Sequence, residues 1–184
     1  MSGVSFASAS RTLTLLENEA LATTATAKRP RVITGVAWNE LIPRWAQDYS
    51  VLEANSVTRL IAPRGLEALR KQLSATSAEY VMTGSFAARI PTSVAPARLA
   101  MIYTQDPRSL ADFLDLRPSE SGTNVWLLSP FDPVVFDRSS VRDGLVCAAF
   151  SQVAADLLTS PGRGPVEGDE LLRWMKENEN VWRA

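Results

Sequence analysis

The sequence predicts a mixed fold of the α+β or α/β class, with a small N-terminal module ahead of a larger domain. Strand and helix signals alternate from residue 56 onward, which is typical of an α/β domain. Hydrophobic residues make up 46% of the 184-residue chain and charged residues 21%, a balance typical of a folded, soluble protein. We therefore expect three parts: the N-terminal module over 1–36, a connecting helix and linker over 37–55, and the α/β domain over 56–184.

An amphipathic helix is predicted in the N-terminal module. Apolar residues recur at spacings of three and four, which places them on one helical face: Ala9, Leu13, Leu16 and Ala20. Other faces carry small hydroxyls and an arginine near the N-terminal end: Ser8, Ser10, Arg11 and Thr12. Such groups can contact base edges and phosphates when a recognition helix lies in the major groove. Gly3-Val4-Ser5, just before the helix, has the composition of the tight turn of a helix-turn-helix.

A basic hairpin is predicted next. Two β-prone segments, 21–24 and 32–34, flank a stretch that contains Lys28, Arg29 and Arg31. This order predicts a wing whose cations lie along the phosphate backbone of DNA. Residues 1–36 carry a net charge of +2, against −3 for the rest of the chain, and this asymmetry favours the same interpretation. A helix followed by a basic loop is also common in proteins that bind no nucleic acid, so an ordinary structural role stays open.

These segments resemble a known family. Four segments follow one another in the order Gly3-Val4-Ser5, Ser10-Arg11-x-Leu13-x-Leu15-Leu16-Glu17, basic wing and Gly35-Val36-x-Trp38. This order is similar to the winged-helix end of actinobacterial regulators related to type IV abortive-infection (AbiEi-like) antitoxins. The same resemblance continues over the second half in segments 80–88, 130–137, 151–158 and 161–165, with Trp174-Met175. Met1 lies where the third helix of the motif is about to begin. We therefore expect a partial winged helix, truncated at its N-terminus.

The resemblance implies a function and partners. It implies a DNA-binding autoregulator of the antitoxin type, whose partners are double-stranded DNA and a nucleotidyltransferase-like toxin. A winged-helix core is closed by three helices, and each fully buried apolar side chain contributes about 1.5–3 kcal/mol. We therefore expect residues 1–36 to be the least stable part of the chain, and to fray or to gain cover from a second copy in a homodimer.

The residue inventory argues against an enzyme. The chain has no histidine and one cysteine, which excludes Ser-His-Asp and Cys-His nucleophile activation and the usual zinc sites. Cys147 lies in the apolar segment 145–149, so we expect a buried small side chain rather than a nucleophile. We assign no catalytic residue, metal or cofactor. No apolar run approaches the ~18 residues of a membrane span and no export signal is recognisable, so we expect a cytoplasmic protein that does not contact a membrane.

One turn has the composition of a ligand site. Thr83-Gly84-Ser85 links a short strand to a helix, and N–H groups at a helix start can hold a phosphate. The turn resembles the opening of the nucleotidyltransferase fold, in which paired carboxylates on the next strand bind two magnesium ions. Here a single carboxylate, Asp106, follows that strand beside Gln105, so the resemblance implies a degenerate, catalytically inactive relative. The competing function is therefore a nucleotide-binding or inactive nucleotidyltransferase-like domain with a vestigial N-terminal piece, and the ordinary alternative is a tight turn that requires glycine.

Several local expectations complete the prediction. Strands are expected at 57–62, 98–104, 124–128, 134–136 and 145–149, and the aromatic stripe from Trp38 to Tyr49 is expected to pack in the core. We expect helix caps at Asn39, Asp106 and Ser151, with Pro107 in the first helical position. Asp132 and Asp137 flank a turn and are expected to make local hydrogen bonds. Gly162-Arg163-Gly164, with Gly168 beyond, is typical of a mobile linker.

Overall fold

A computed structural model describes residues 5–25, 32–88, 97–119 and 121–183. The helices are α1 (Phe6–Asn18), α2 (Trp38–Asp48), α3 (Leu66–Ala75), α4 (Gly84–Ala87), α5 (Pro107–Phe113), α6 (Phe150–Leu158), α7 (Gly164–Glu177) and α8 (Glu179–Trp182), with a 3-10 helix at Pro133–Phe136. The strands are β1 (Ala22–Ala25), β2 (Val32–Val36), β3 (Ser56–Ile61), β4 (Val81–Thr83), β5 (Ala100–Tyr103), β6 (Arg117–Pro118), β7 (Val125–Ser129), β8 (Ser140–Arg142) and β9 (Leu145–Cys147).

The strands form two sheets. β1 and β2 make an antiparallel hairpin, and the other seven form one mixed sheet in the order β6-β3-β7-β5-β4-β9-β8. β5 runs parallel to β7 and β4 runs parallel to β9, whereas the other neighbours are antiparallel. The described residues therefore form a mixed α+β fold, which confirms the predicted class at this coarse level. Within these residues, no helix combines the length and the apolar character needed to cross a membrane.

The core lies around β5 and α6. Every residue of β5 is at most 3% exposed, so this strand is covered on both faces, and it is one of the strands the sequence predicted. Residues 152–157 of α6 are all buried, because the helix packs against α2, α4, α7 and β4. Any polar side chain on a helix that is buried on all sides needs hydrogen-bond partners within the protein.

Two glycines let α7 pack closely against α6. A Cβ atom at Gly164 would lie 2.5 Å from Ser160 Cβ and 2.7 Å from the carbonyl oxygen of Leu157, and one at Gly168 would lie 3.0 Å from the backbone nitrogen of Leu158. The expectation of a mobile linker is therefore wrong from Gly164 onward. This glycine is the first residue of α7, and it is buried because only glycine leaves room for the neighbouring helix end.

The segment predicted as a strand at 134–136 is a 3-10 helix instead. Pro133 occupies its first turn, and the Asp132 carboxylate caps it by accepting a hydrogen bond from Val134 N at 2.9 Å. Pro133 cannot donate a ladder hydrogen bond, so the short apolar run forms a capped turn. The strand of this region is β8, which pairs with β9 in antiparallel register.

Two of the three predicted helix caps differ from the structure. α2 begins after Ala37 rather than Asn39, and α6 begins after Ala149 rather than Ser151, in both cases without a side-chain cap. The third prediction is confirmed, because Asp106 caps α5 and Pro107 follows in its first turn. Each of these helices begins two residues earlier than predicted, at Trp38 and at Phe150, and both aromatic side chains pack in or against the core.

α1 is thinly covered. None of its described residues is buried, and its inward residues Leu13 and Leu16 are only half-buried. The first fully buried side chains of the described chain are Leu21 and Ala22, where α1 leads into β1. Since burial of apolar side chains is the main stabilising contribution, α1 has less to hold it in place than the elements around β5.

α2 joins the hairpin to the rest of the protein. Trp38 and Ile42 are buried, as expected for core packing, whereas Trp45 keeps 37% of its surface exposed. The ring of Trp38 packs edge-on against Trp182, with ring centroids 4.8 Å apart. Trp38 Nε1 also donates a hydrogen bond of 2.9 Å to Glu179 Oε1. The helix that follows the hairpin is therefore anchored to α8 near the other end of the chain.

A buried carboxylate lies at the centre of the fold. Asp156, on α6, is completely buried and accepts four hydrogen bonds. Tyr49 Oη and Gln152 Nε2 donate to its Oδ1 at 2.7 and 2.9 Å, and Thr83 Oγ1 and Tyr103 Oη donate to its Oδ2 at 2.5 and 3.0 Å. These donors come from the end of α2, from α6 itself, from β4 and from β5. The network therefore ties four elements to one acidic group.

Burial shifts the protonation equilibrium of Asp156 toward the neutral acid. Desolvation raises the pKa of Asp156 from its ordinary 3.8 to about 6, although its four hydrogen bonds act in the opposite direction. The same burial raises the pKa of Tyr49 and of Tyr103, so both phenols remain donors at neutral pH. Ionisation of Asp156 above about pH 6 therefore takes place at a cost to the folded state.

We predict that Asp156 gives the protein a characteristic pH dependence. Between about pH 4 and pH 6 the folded protein holds a proton that the unfolded chain has released, so the free energy of unfolding falls as pH rises through this window. A shift of this size corresponds to about 3 kcal/mol. Asp156→Asn removes the titrating group, so its destabilisation relative to wild type should be larger near pH 4 than near pH 8. Urea unfolding at both pH values measures the difference.

Asp169→Asn is the matched control, because Asp169 is an exposed carboxylate on α7. Its unfolding free energy should stay within about 0.5 kcal/mol of wild type at both pH values. An Asp156→Asn destabilisation of the same size near pH 4 and near pH 8 would contradict the assigned cost of ionisation.

Candidate functional site

The predicted reading face of α1 is formed in part. At helical spacing Ser8, Arg11 and Thr12 lie on one face, and Arg11 and Thr12 are exposed. Ser5 caps the helix by accepting a hydrogen bond from Ser8 N at 3.1 Å. Ser10 is not brought onto this face, because it lies on the side of Glu17, toward β1. The structure therefore groups three of the four predicted α1 residues.

Glu17 on α1 and Glu19 just after it are engaged by β1 and α2. Glu17 accepts a hydrogen bond from Thr24 Oγ1 on β1. Glu19 forms an ion pair of 2.9 Å with Arg44 on α2, and Arg44 also pairs with Asp48 at 2.6 Å. The N-terminal part of α1 thus presents hydroxyls and the Arg11 cation, with no carboxylate of α1 directed to the same face.

The hairpin has the two predicted arms. β1 pairs with β2 from Ala22 opposite Val36 to Ala25 opposite Val32, with an irregularity after Thr23. Val32 keeps 57% of its surface exposed, so the hairpin has an uncovered side. The predicted phosphate-contacting residues Lys28, Arg29 and Arg31, like the turn residues Gly3 and Val4, lie outside the described residues.

The Thr83-Gly84-Ser85 turn has a structural role. Thr83 Oγ1 donates to the buried carboxylate of Asp156 at 2.5 Å, so this hydroxyl is occupied. Gly84 has φ +64°, a left-handed conformation that favours glycine, and a Cβ atom there would lie 3.0 Å from Met101 Sδ. The turn therefore meets the expectation of a tight turn that requires glycine.

A small cleft lies beside Ser85. It has a volume of about 190 Å³, and its polar lining includes Ser85, Arg98, Ser160, Arg163 and Glu167. Arg163 lies 3.8 Å from the Glu167 carboxylate, which offsets part of the positive charge. The cleft is therefore small for a nucleotide and contains only one cation without an acidic partner in its lining.

The acidic residues Asp106, Asp132 and Asp137 lie at turns and helix ends. Asp106 Oδ1 accepts from Ser109 N at 3.0 Å and Asp106 Oδ2 from Ser109 Oγ at 2.6 Å, and these bonds lower the pKa of Asp106. Asp132 caps the 3-10 helix, which confirms its expected local role, and Asp137 ends that helix through its backbone N–H to Val134 O. Within the described residues, no three acidic or thiol side chains are grouped so as to hold a metal ion.

Cys147 has the expected environment. It is 1% exposed on β9, and burial raises the pKa of its thiol. A protonated thiol in an apolar setting is a poor nucleophile. The prediction of a buried, small side chain is therefore confirmed.

A second cleft, which we call the arginine cleft, was missed in the sequence. Its polar lining is formed by Arg138, Ser139, Ser140, Arg142, Ser151 and Arg183, and its apolar wall by Phe150, Val181 and Trp182. Its volume is about 760 Å³. These residues come from the β8 region, the start of α6 and the end of α8. No local motif joins them, so only the fold reveals the cluster.

Comparison with protein-family models, with curated proteins and with solved structures finds no match to this chain.

We predict that Thr83 and Ser85 differ sharply in their effect on stability. Thr83→Val keeps the shape of the side chain but removes a donor to a buried carboxylate, which should lower the unfolding free energy by about 1–3 kcal/mol. Ser85→Ala, at the half-buried position two residues on, should change it by no more than about 0.5 kcal/mol. Urea unfolding at neutral pH measures both, and equal effects would contradict the structural role of Thr83.

Proposed function

We propose that this protein is a DNA-binding transcriptional regulator of the type IV antitoxin kind, which contacts double-stranded DNA through α1 and the β1–β2 hairpin. The observation that carries the proposal is the division of charge on α1. Glu17 and Glu19 are engaged by Thr24 and Arg44, whereas Arg11 is exposed and forms no ion pair with a carboxylate of the described residues. Glu19 continues the line of Ser8 and Thr12 at the far end of the helix, and its pairing with Arg44 reduces the repulsion that a free carboxylate would exert on the phosphate backbone.

The chemistry of α1 suits a recognition helix. A guanidinium can donate two parallel hydrogen bonds to a guanine edge or to a phosphate, and a small hydroxyl accepts or donates without blocking the approach of the helix. Ser8, Arg11 and Thr12 supply these groups near the N-terminal end of α1, the end that contacts bases in helix-turn-helix proteins. In this proposal Lys28, Arg29 and Arg31 add contacts to the phosphate backbone.

The α/β part has a separate role in this proposal. By resemblance to the antitoxin family, we infer that residues 56–184 bind a nucleotidyltransferase-like toxin and that the DNA bound by residues 1–36 lies upstream of the protein's own gene. The support for both inferences is the sequence resemblance.

The competing function, a nucleotide-binding or inactive nucleotidyltransferase-like domain at the Thr83-Gly84-Ser85 turn, has weaker support. The Thr83 hydroxyl is already bonded to Asp156, α4 is only four residues long, and the adjacent cleft contains Glu167. A phosphate there would face one unopposed arginine, Arg98.

We predict that the basic groups of the N-terminal module set the salt dependence of DNA binding. Replacing Lys28, Arg29 and Arg31 together by alanine should weaken binding about equally on every sequence and reduce the logarithmic salt slope by up to about three units. Arg11→Ala should reduce the slope by about one unit and also lower the preference for DNA from upstream of the gene over an unrelated sequence. Fluorescence anisotropy at several salt concentrations measures both quantities.

Arg108→Ala is the matched control, because Arg108 is an exposed arginine on α5, outside the N-terminal module. Its salt slope and sequence preference should equal those of wild type. An unchanged slope in the triple variant would falsify the assignment of the hairpin to DNA.

A further inference from the structure

The arginine cleft has the dimensions and charge of a ligand site. Its volume of about 760 Å³ lies in the range of ~300–1,000 Å³ that small-molecule sites occupy. Three arginines line it, Arg138, Arg142 and Arg183, and none of the described residues that line it is acidic. The cleft is therefore large enough for more than a single phosphate group and selects for negative charge.

Arg142 is held in a fixed position at the base of the cleft. Its Nη2 donates to the carbonyl oxygens of Ala87 at 3.3 Å and Ala148 at 2.8 Å, and its Nη1 donates to Ser140 Oγ at 3.1 Å. Its guanidinium lies 4.1 Å from the ring centroid of Phe150. A guanidinium fixed in this way loses little conformational entropy when it binds an anion.

Arg138 and Arg183 provide charge at the rim. Arg138 is exposed, has φ +54°, and pairs with no carboxylate of the described residues. Arg183 is exposed and pairs with Glu179, which also accepts from Trp38 Nε1. A bound anion would therefore meet Arg138 directly and compete with Glu179 for Arg183.

The walls of the cleft add neutral donors and an apolar surface. Ser139, Ser140 and Ser151 supply hydroxyls, while Val181 and Trp182 form an apolar side. The indole of Trp182 is fixed, because its Nε1 donates to Met175 O at 2.8 Å and its ring packs on Trp38. α6 also begins at the cleft, and it has no acidic residue in its first turn. An apolar wall beside arginines and hydroxyls suits a ligand with both a ring and phosphates.

We propose that the arginine cleft binds a nucleoside phosphate. Arginine is the preferred residue for phosphate because its planar donors match two phosphate oxygens at once, and serine hydroxyls complete such sites. The apolar side formed by Val181 and Trp182 accommodates the base, whereas an inorganic anion would leave this side of the cleft empty. This site is separate from the Thr83-Gly84-Ser85 turn, and the proposal does not depend on DNA binding by α1.

The test is calorimetric titration of the full chain with ATP and, separately, with pyrophosphate. Wild type should bind ATP with a dissociation constant below the millimolar range and bind pyrophosphate more weakly. Arg138→Gly removes this guanidinium and suits the left-handed backbone at this position, so the variant should remain folded. Its affinity for ATP should be about tenfold lower than that of wild type.

Two controls locate the site. Arg98→Ala removes the arginine of the smaller cleft that has no acidic partner in its lining, and Arg108→Ala removes an exposed arginine of α5, so both variants should bind ATP like wild type. The proposal is overturned if wild type binds no ATP at millimolar concentration, if Arg138→Gly binds as tightly as wild type, or if Arg98→Ala is the variant that loses binding. Equal affinity for pyrophosphate and ATP would overturn the assignment to a nucleoside phosphate.

Discussion

The Asp156 carboxylate is the constraint on which the packing of the described fold depends. A charge buried without a cation is tolerated only when hydrogen bonds replace its hydration, and here Tyr49, Thr83, Tyr103 and Gln152 do so. Removing any donor leaves a buried acceptor of Asp156 without one of its hydrogen bonds. This should lower the unfolding free energy by more than one hydrogen bond contributes on balance. The position of the end of α2, the register of β4 and β5, and the rotation of α6 are therefore coupled through one side chain.

This coupling reaches the N-terminal module through α2. Tyr49, immediately after α2, donates to Asp156, while Arg44 on the same helix pairs with Glu19 beyond the end of α1. Trp38 at the start of α2 packs on Trp182, a wall of the arginine cleft. The C-terminal end of α1 is thus attached to a well-packed body, whereas its N-terminal face stays uncovered. A thinly covered helix on a rigid support is suited to binding a large partner, because little internal packing has to be given up.

The sequence could predict what is encoded locally. Apolar spacing predicted α1, β-prone segments predicted the arms of the hairpin and the region of β5, and Asp106-Pro107 predicted the start of α5. It could not predict features that need distant residues. The donors to Asp156 lie as far as 107 positions away, and Arg138 and Arg183 line the same cleft only because the β8 region and α8 border it. The linker prediction failed at Gly164 and Gly168 for the same reason, because their close approach to the end of α6 exists only in the folded structure.

The most direct test of the account is hydrogen exchange of the full chain with and without double-stranded DNA from upstream of its gene. Without DNA, amides of α1 should exchange much faster than those of β5, because no described residue of α1 is buried and every residue of β5 is. With DNA, protection should increase in α1 and in the β1–β2 hairpin and stay unchanged in β5. Equal protection of α1 and β5 in the free protein, or DNA-dependent protection that leaves α1 and the hairpin unchanged, would contradict the account.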